Sequence, residues 1–216
     1  MSLAIQLSTV LEHFVKNAPD EITKPILSAR EDFKQSFDAK AAIQVGDKLP
    51  EFRLSDAVGT ERVITDLLSR GPLVIVFYRG EWCPFCNIAL VGMQKHIDEF
   101  KAKGVTLVAI SPELPNQSLT TTEKNNLKFP VLSDIGNKYA RQLGIVFSQP
   151  DTLRPVFEKF GHNLPKRNGD DSMEVPVPAT ILVDKKGIVR NTFIDPDYTK
   201  RVEPSTVLEW IDGLKN

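Results

Sequence analysis

The sequence predicts an α/β fold in which a central sheet is flanked by helices and preceded by an N-terminal helical hairpin. Apolar residues recur at helical spacing through the first 42 residues, and turn residues with short apolar runs replace this pattern from Gly46 onward. A helical segment separates the apolar runs 73–78 and 105–111, and this strand–helix–strand order implies a right-handed parallel crossover. We therefore expect helices on both faces of the sheet.

Residues 1–42 are expected to form an extension of two amphipathic helices, which are separated at Pro19 and Asp20. Apolar stripes on helices usually face a core, so we expect this hairpin to pack on the main body or on a partner subunit. The two stripes consist of Leu3, Leu7, Val10, Leu11 and Phe14, and of Ile22, Ile26, Ala29, Phe33 and Phe37.

Residues 43–216 are expected to form one domain that contains the sheet. Lys185, Lys186 and Gly187 predict a hairpin turn between its last two strands. The predicted strands are Leu73–Tyr78, Val105–Ser111, Thr180–Asp184 and Ile188–Ile194. The predicted helices are Pro84–Lys103, Ser118–Asn126, Asn137–Leu143 and Pro204–Lys215.

The segment of about 147–177 is expected to be an insertion, because it combines several prolines with a mixed-charge run and lacks strong periodicity. A short helix is predicted at Thr152–Phe160. Long segments of this kind often serve as lids or interfaces, and they also occur as decoration without a function. The sequence leaves both alternatives open.

The composition limits the partners and the compartment. The 216 residues carry a formal net charge of −1, which leaves no basic footprint for nucleic acid or for an anionic membrane surface. No apolar stretch approaches the roughly 20 residues of a membrane span, and the N-terminus lacks the basic start of a secretory signal. We therefore expect a cytoplasmic protein whose two cysteines act as a working dithiol rather than as a structural staple.

The only two cysteines of the chain stand in the tetrapeptide Cys83-Pro84-Phe85-Cys86. At a strand-to-helix junction, Cys83 would lie at the first helical turn, where free backbone N–H groups and the helix dipole lower the pKa of a thiol. Pro84 suits the first helical position, and Cys86 would lie one turn later, deeper and within bonding reach. These positions favour Cys83 as the exposed attacking thiol and Cys86 as the resolving thiol.

Neighbouring side chains are expected to shape this site. Trp82 and Phe85 would form an apolar rim, and Arg79 would offer a positive charge. The alternatives are a pair of inert buried cysteines and a zinc site. Zinc needs four ligands, and His96, the histidine nearest in sequence, would lie roughly 15 Å beyond Cys86 along the predicted helix, too far to share a metal.

Four segments resemble a known family. The run Phe77–Cys86 resembles the active-site strand and turn of the thioredoxin superfamily. The segments Gly46–Phe52 and Phe129–Asp134 resemble the peroxiredoxin branch, and Val177–Gly187 resembles the late strand and hairpin of both branches. The chain is similar to the peroxiredoxin-like (AhpC/TSA-type) group with a CPxC dithiol. The resemblance spans residues 44 to 214, approximately. It implies a thioredoxin-like, peroxiredoxin-type central sheet.

The resemblance also assigns residues, and it departs from the family's pattern. Peroxiredoxins surround the reactive cysteine with a proline, a threonine and an arginine. These correspond here to Arg79, Cys83 and Pro178, and the reactive cysteine corresponds to Cys86. Pro178 instead resembles the cis-proline of thioredoxins, so a cis Val177–Pro178 bond is expected, with a trans proline that starts the strand as the alternative. The peroxiredoxin spacing favours Cys86 as the nucleophile, whereas the helix terminus favours Cys83.

The resemblance implies a thiol-dependent peroxidase, an antioxidant enzyme that reduces a hydroperoxide substrate through a Cys83–Cys86 dithiol and disulfide cycle. Thioredoxin, glutathione or another dithiol would restore the reduced state. No metal or organic cofactor is implied, and a homodimer is one possible assembly. Low activity is expected, since the family's threonine and arginine are replaced.

Two other functions are carried as alternatives. One is a protein thiol–disulfide oxidoreductase, for which the dithiol and Pro178 are the arguments. The other is a non-catalytic redox-sensing or partner-binding module, with the N-terminal hairpin as its docking surface.

Overall fold

The structure is a computed structural model that describes residues 1–214. Within these residues, the strands are β1 (Arg53–Asp56), β2 (Glu61–Val63), β3 (Leu73–Phe77), β4 (Thr106–Ser111), β5 (Val131–Ser133), β6 (Val146–Ser148), β7 (Glu174–Pro176), β8 (Ala179–Val183) and β9 (Val189–Ile194). The α-helices are α1 (Leu3–Asn17), α2 (Asp20–Ser36), α3 (Ile64–Arg70), α4 (Pro84–Gln94), α5 (Ile97–Ala102), α6 (Pro115–Lys124), α7 (Lys138–Gln142), α8 (Arg154–Lys159), α9 (Leu164–Asn168) and α10 (Pro204–Asp212).

Seven strands form one sheet in the order β2-β1-β5-β4-β3-β8-β9. Strands β3, β4 and β5 run parallel, and each of the outer strands is antiparallel to its inner neighbour. Every residue of β3 is buried, as expected for a strand with both faces covered. The predicted α/β class and the parallel pairing of the first two predicted strands are confirmed.

Successive residues of β3 project to opposite faces of the sheet and enter two different cores. Val74 and Val76 pack with residues of α1, α4, α5 and α10. Leu73, Ile75 and Phe77 pack with residues of α3 and α7. The helices therefore lie on both faces of the sheet, as the sequence predicts, and α4 is held on the first of these faces.

Helix α1 packs on the main body. Leu3 and Leu7 are buried in the same core as α4. The carboxylate of Glu203, just before α10, accepts hydrogen bonds from the backbone N–H groups of Leu3 and Ala4 at 3.0 and 2.9 Å. A carboxylate at this helix terminus satisfies free donors and complements the helix dipole.

Helix α2 lies against two other parts of the chain. Its Ile22 is buried with Leu153 and Val156 of the 147–177 segment. Its Arg30 donates to Asp197 in the loop between β9 and α10, with 2.9 Å between Arg30 Nε and Asp197 Oδ1. The N-terminal hairpin therefore packs on the body of the same chain, which is one of the two predicted arrangements.

The single helix predicted for Pro84–Lys103 is in fact two helices, because the chain bends at Lys95 and His96. The N–H of His96 donates to the carbonyl of Met93, a bond of 3₁₀ type, and His96 has non-helical dihedral angles. Beyond the bend Phe100 is fully buried, so the new helix axis carries its own apolar face into the core.

Several other boundaries differ from the predictions in small ways. Outside the 147–177 segment, the structure adds β1, β2, β5 and α3, which lack strong periodicity. The predicted turn at 185–187 is confirmed, and Gly187 adopts a φ of +79° there. The last helix ends at Asp212, and Lys215, its predicted end, lies outside the described residues. No helix within residues 1–214 combines the length and the apolar character needed to cross a membrane.

The 147–177 segment has more structure than predicted. The expected short helix is α8, which follows a 3₁₀ turn at Asp151–Leu153. A second helix, α9, follows it, and strands β6 and β7 pair with each other as a separate two-stranded sheet at the base of the segment. The added elements β6, β7 and α9 were not visible as periodicity, because each has only three to five residues.

The Arg30–Asp197 pair gives a test of how α2 is attached. Burial opposes ionisation of Asp197, but hydrogen bonds from Arg30 and Thr199 outweigh it and lower the pKa of Asp197 to about 2 from 3.8. The carboxylate therefore stabilises the fold above pH 3.8 and loses this effect as the pH falls through 2. We expect Asp197→Asn to lower the free energy of unfolding by about 2 kcal/mol at neutral pH in urea titrations.

The difference between Asp197→Asn and the wild type should shrink as the pH falls from about 4 toward 2. Asp20→Asn is the matched control, since Asp20 pairs with Lys24 on the same helix but is exposed. We expect that control to cost at most about 0.5 kcal/mol. Equal stability of Asp197→Asn and the wild type at neutral pH would contradict the proposed attachment.

Candidate active site

The two cysteines lie where β3 gives way to α4. Cys83 is the N-cap residue of α4 with an extended backbone, Pro84 occupies the first helical position, and Cys86 lies in the first turn. The N–H groups of Cys86 and Asn87 both donate to the backbone carbonyl of Cys83 at 3.1 Å. Both cysteines are free, and their Sγ atoms lie 2.7 Å apart. The predicted placement of the dithiol at a strand-to-helix junction is confirmed.

The prediction that Cys83 is exposed is wrong. Both cysteines have 0% exposure, so exposure does not separate their roles. The predicted apolar rim is present and explains this burial, because Trp82 and Phe85 are themselves only 7% exposed and pack in the same core as the cysteines. The dithiol therefore lies beneath an aromatic cover rather than at the surface.

Two guanidinium groups contact the two sulfurs. Arg79 Nη2 lies 3.3 Å from Cys83 Sγ, and Arg201 Nη2 lies 3.3 Å from Cys86 Sγ. Arg79 is buried, and its guanidinium carbon lies 3.7 Å from the ring centroid of Tyr198. The same carbon lies 4.8 Å from the ring centroid of Trp82, so the cation is held by two aromatic rings. The predicted charge at Arg79 is thus next to the sulfur.

This environment shifts the pKa values of the two thiols in opposite directions. Burial raises the pKa of the Cys83 thiol, but the hydrogen bond from Cys86 and the charges of Arg79 and Arg201 hold that pKa well below its usual value. Burial, the hydrogen bond donated to Cys83 and the charge of the Cys83 thiolate raise the pKa of Cys86 well above its usual value. The site therefore favours a thiolate on Cys83 and a neutral thiol on Cys86.

Sequence reasoning did not find Arg201. It lies in the loop between β9 and α10, 115 residues from Cys86, where no periodicity or motif marks it. Its guanidinium also donates to the backbone carbonyls of Tyr198 and Lys200, which fixes its direction. We call residues 195–203 the connecting loop. It carries Arg201, which contacts Cys86, and also Asp197, which pairs with Arg30 of α2.

A buried ion cluster holds the turn before the dithiol. The carboxylate of Glu113 has no exposed surface, and it accepts from the backbone N–H of Glu81 and from Arg167 Nε, both at 2.8 Å. Arg167 Nη2 also donates to Glu81 at 2.8 Å, and Lys124 pairs with Glu81 from outside. Since Arg167 belongs to α9, the cluster ties the 147–177 segment to the active-site turn.

Gly80 allows this turn to close. Its φ is +145°, and a Cβ atom there would lie 2.4 Å from Nε1 of Trp82 and 2.9 Å from a carboxylate oxygen of Glu113. Any other residue would displace the rim or the ion cluster. The glycine is therefore required by the packing of its neighbours.

The expected cis bond before Pro178 is wrong, since the Val177–Pro178 bond is trans. Pro178 is buried and directly precedes β8, whose first residue, Ala179, lies opposite Phe77. A proline lacks a backbone donor, so it fits just outside the strand ladder. This is the alternative of a trans proline that starts the strand. A role for Pro178 in orienting a substrate stays a prediction.

The comparisons with known proteins agree with this fold. The profile of the AhpC/TSA family matches residues 45–192. Peroxiredoxin Bcp of Escherichia coli (strain K12) is 32% identical over 169 residues, which cover 78% of this chain and 96% of that protein. A putative peroxiredoxin of Mycobacterium tuberculosis (strain CDC 1551 / Oshkosh) is 33% identical over 142 residues, which cover 66% of this chain and 79% of that protein.

Solved structures match at lower identity and therefore support the fold alone. The peroxidoxin BcpB from Mycobacterium tuberculosis superposes with a TM-score of 0.63 at 21% identity, covering 81% of this chain and 99% of that chain. The reduced 2-Cys peroxiredoxin of Plasmodium vivax superposes with a TM-score of 0.61 at 19% identity, covering 79% of this chain and 81% of that chain.

The role of Arg79 can be tested by titrating Cys83 alone in a Cys86→Ser background. Arg79→Met removes the charge next to the sulfur and keeps an apolar chain between the rings. We expect the pKa of Cys83 to rise, which moves the onset of thiolate ultraviolet absorbance upward by at least about one pH unit. Arg79→Lys, which keeps the charge, should shift it less. Arg190→Met, which removes a surface partner of Asp184, should not shift it. An unchanged titration in Arg79→Met would refute the assigned role.

Proposed function

The chain belongs to the AhpC/TSA family, and we propose that it reduces hydroperoxides through the dithiol of Cys83 and Cys86. The family and its peroxiredoxin relatives support a thiol-dependent peroxidase. The observation that carries the assignment of residues is the buried sulfur of Cys83, which lies 3.3 Å from a guanidinium and 2.7 Å from the sulfur of Cys86. A stabilised thiolate beside a resolving thiol is what this chemistry requires.

In the first step, the Cys83 thiolate attacks the terminal oxygen of a hydroperoxide. A sulfur–oxygen bond forms as the oxygen–oxygen bond breaks, so the sulfur is oxidised to a sulfenic acid and the rest of the substrate leaves as an alkoxide. Arg79, fixed between two rings, stabilises the negative charge that moves from sulfur to oxygen. The proton of the Cys86 thiol neutralises the alkoxide to an alcohol.

The second step follows from the loss of charge in the first. The negative charge on Cys83 is one of the causes that keep Cys86 protonated, and oxidation to the sulfenic acid removes it. Arg201 then favours a thiolate on Cys86, which attacks the Cys83 sulfur and forms the disulfide. Hydroxide leaves and takes a proton from solvent to give water.

An external thiol reductant completes the cycle. Two electrons and two protons from thioredoxin, glutathione or another dithiol reduce the Cys83–Cys86 disulfide. The first sulfur to be attacked must be reached through the aromatic rim, because both sulfurs are buried in the reduced protein. The disulfide form therefore needs an opening of the rim formed by Trp82 and Phe85.

The geometry favours the peroxidase over the protein thiol–disulfide oxidoreductase. A protein disulfide is too bulky to reach sulfurs with 0% exposure, and the trans bond before Pro178 removes the expected cis-proline, one of the two arguments for a thioredoxin-type site. Low peroxidase activity was expected because the arginine and threonine of the family are replaced in this chain. Two other guanidinium groups, those of Arg79 and Arg201, lie at the sulfurs. Arg201 in this way supplies part of what the replaced family residues would provide.

Single replacement of each cysteine by serine tests this cycle. We expect Cys83→Ser to abolish peroxide consumption, because the thiolate is lost. We expect Cys86→Ser to support one turnover and to accumulate a sulfenic acid on Cys83, which a dimedone adduct identifies by mass spectrometry. Steady consumption with an external thiol measures the full cycle.

The reverse pattern, with the sulfenic acid on Cys86 in Cys83→Ser, would reassign the nucleophile but keep the peroxidase. Insulin reduction by the wild type without peroxide consumption would refute the peroxidase itself. A double variant, Cys83→Ser with Cys86→Ser, serves as the blank for both assays.

A further inference from the structure

Oxidation of the dithiol removes the negative charge that lies next to Arg79 and Arg201. We propose that the disulfide form binds a small monovalent anion, such as chloride, beside Arg79, and that this anion makes the dithiol easier to oxidise. The inference goes beyond the proposed function, since it holds for any two-electron oxidant that forms the Cys83–Cys86 disulfide. The site is built from Arg79 and Arg201, whereas the family's arginine corresponds here to Pro178.

Disulfide formation changes the charge of the sulfurs but not that of the guanidinium groups. In the reduced form, the site favours a thiolate on Cys83 and a thiol on Cys86. Formation of the sulfur–sulfur bond breaks the S–H bond of Cys86 and releases its proton to solvent. Two electrons pass to the oxidant, which in the proposed function is the hydroperoxide. The sulfurs then carry no charge, whereas both arginine side chains stay protonated.

The described chain offers no spare carboxylate to replace the lost thiolate. Within residues 1–214, Arg79 and Arg201 form no salt bridge with an acidic side chain. The carboxylates of the active-site turn and of the connecting loop are engaged by other cations, in the pairs Asp197–Arg30, Glu81–Arg167 and Glu113–Arg167. A carboxylate could therefore neutralise Arg79 only by leaving its present partner.

Arg79 is affected by this loss more strongly than Arg201. Arg201 is half-buried, so water can solvate part of its charge, whereas Arg79 is only 5% exposed. The rings of Tyr198 and Trp82 hold Arg79 at the sulfurs, with centroids 3.7 and 4.8 Å from its guanidinium carbon. A buried cation that loses its counterion is strongly destabilising, which favours uptake of an anion from solvent at Arg79.

A cavity of about 1090 Å³ gives solvent anions a route to Arg79, which is part of its lining. Three buried donor atoms have no hydrogen-bond partner within residues 1–214, and all three belong to side chains on this lining: Arg79 Nε, Trp82 Nε1 and Gln149 Nε2. The buried acceptors without a partner belong to residues that do not line it. This part of the cavity therefore suits a ligand that only accepts hydrogen bonds.

The remaining charges on the lining point to Arg79 as the place of binding. The other cations there are already paired, as Arg30–Asp197, Lys124–Glu81 and Arg154–Asp151. Burial and the charge of Arg167 lower the pKa of His162, so its imidazole is neutral at pH 7. Asp32 and Asp171 would repel an anion, but both are exposed, where water and salt screen their charge.

The start of α4 adds positive potential at the same point. This helix has eleven residues, and its first turn, which begins next to Cys83, carries no acidic side chain. Its N-terminal end therefore presents the positive end of the helix dipole without a side-chain counter-charge. Oxidation removes a single negative charge and Arg79 is almost fully buried, so the ligand that fits is small and monovalent.

A redox equilibrium at controlled chloride concentration tests the inference. The wild type is equilibrated at pH 7 with reduced and oxidised glutathione, and alkylation followed by mass spectrometry gives the ratio of disulfide to dithiol. Sodium chloride replaces sodium gluconate at constant ionic strength, so that screening does not change. We expect the ratio to rise at least about threefold between about 20 and 200 mM chloride.

The chloride dependence has a limit set by one bound anion. Where the disulfide form is saturated and the reduced form is not, a tenfold rise in chloride should raise the ratio tenfold, which corresponds to a midpoint potential lower by about 30 mV. Arg79→Met removes the buried cation, so its ratio should not respond to chloride. Arg190→Met, which removes a surface cation paired with Asp184, is the matched control and should respond like the wild type.

Thermal unfolding of the wild type keeps the test independent of the folding of a variant. At constant ionic strength, chloride should raise the unfolding midpoint of the disulfide form more than that of the reduced form. Equal rises in the two forms, an unchanged disulfide ratio or a wild-type response in Arg79→Met would each overturn the inference. So would a wild type that forms no Cys83–Cys86 disulfide in the glutathione buffer. No peroxide is used, so a failure of the proposed peroxidase would leave these results unaffected.

Discussion

The hydrogen bond from the Cys86 thiol to the Cys83 thiolate is the interaction on which the rest of the site depends. A single negative charge is buried there, and a buried charge without partners would be strongly destabilising. Arg79 and Arg201, which are distant from each other in the sequence, supply the opposite charge. The stacking of Tyr198 and Trp82 around Arg79, and the burial of the rim, follow from the need to hold these cations in place.

This arrangement links the order of the chemical steps to electrostatics. As long as Cys83 is a thiolate, its charge keeps the neighbouring sulfur protonated, so the two sulfurs do not compete for the substrate. Once Cys83 is oxidised, the restraint is gone and Arg201 favours ionisation of Cys86. In the proposed cycle, the resolving thiol thus becomes reactive only once Cys83 has been oxidised.

The sequence was informative wherever a signal is local. The dithiol, its rim and the charge at Arg79 all lie within eight residues, and the helix terminus that positions them has a proline at its first turn. Contacts across the fold were not visible, because Arg201 and Glu113 meet the site only after the sheet has formed. The cis bond at Pro178 was predicted from resemblance to thioredoxins. The bond is trans, and a buried trans proline fits just before a strand because no backbone donor is required there.

The connecting loop joins parts of the molecule that are otherwise separate. Within seven residues it provides Asp197 for α2, Tyr198 for Arg79, Arg201 for Cys86 and Glu203 for the start of α1. The loop therefore connects the hairpin to the two sulfurs through direct contacts. A molecule that binds the reduced form more tightly than the oxidised form makes the dithiol harder to oxidise, by the ratio of its two dissociation constants.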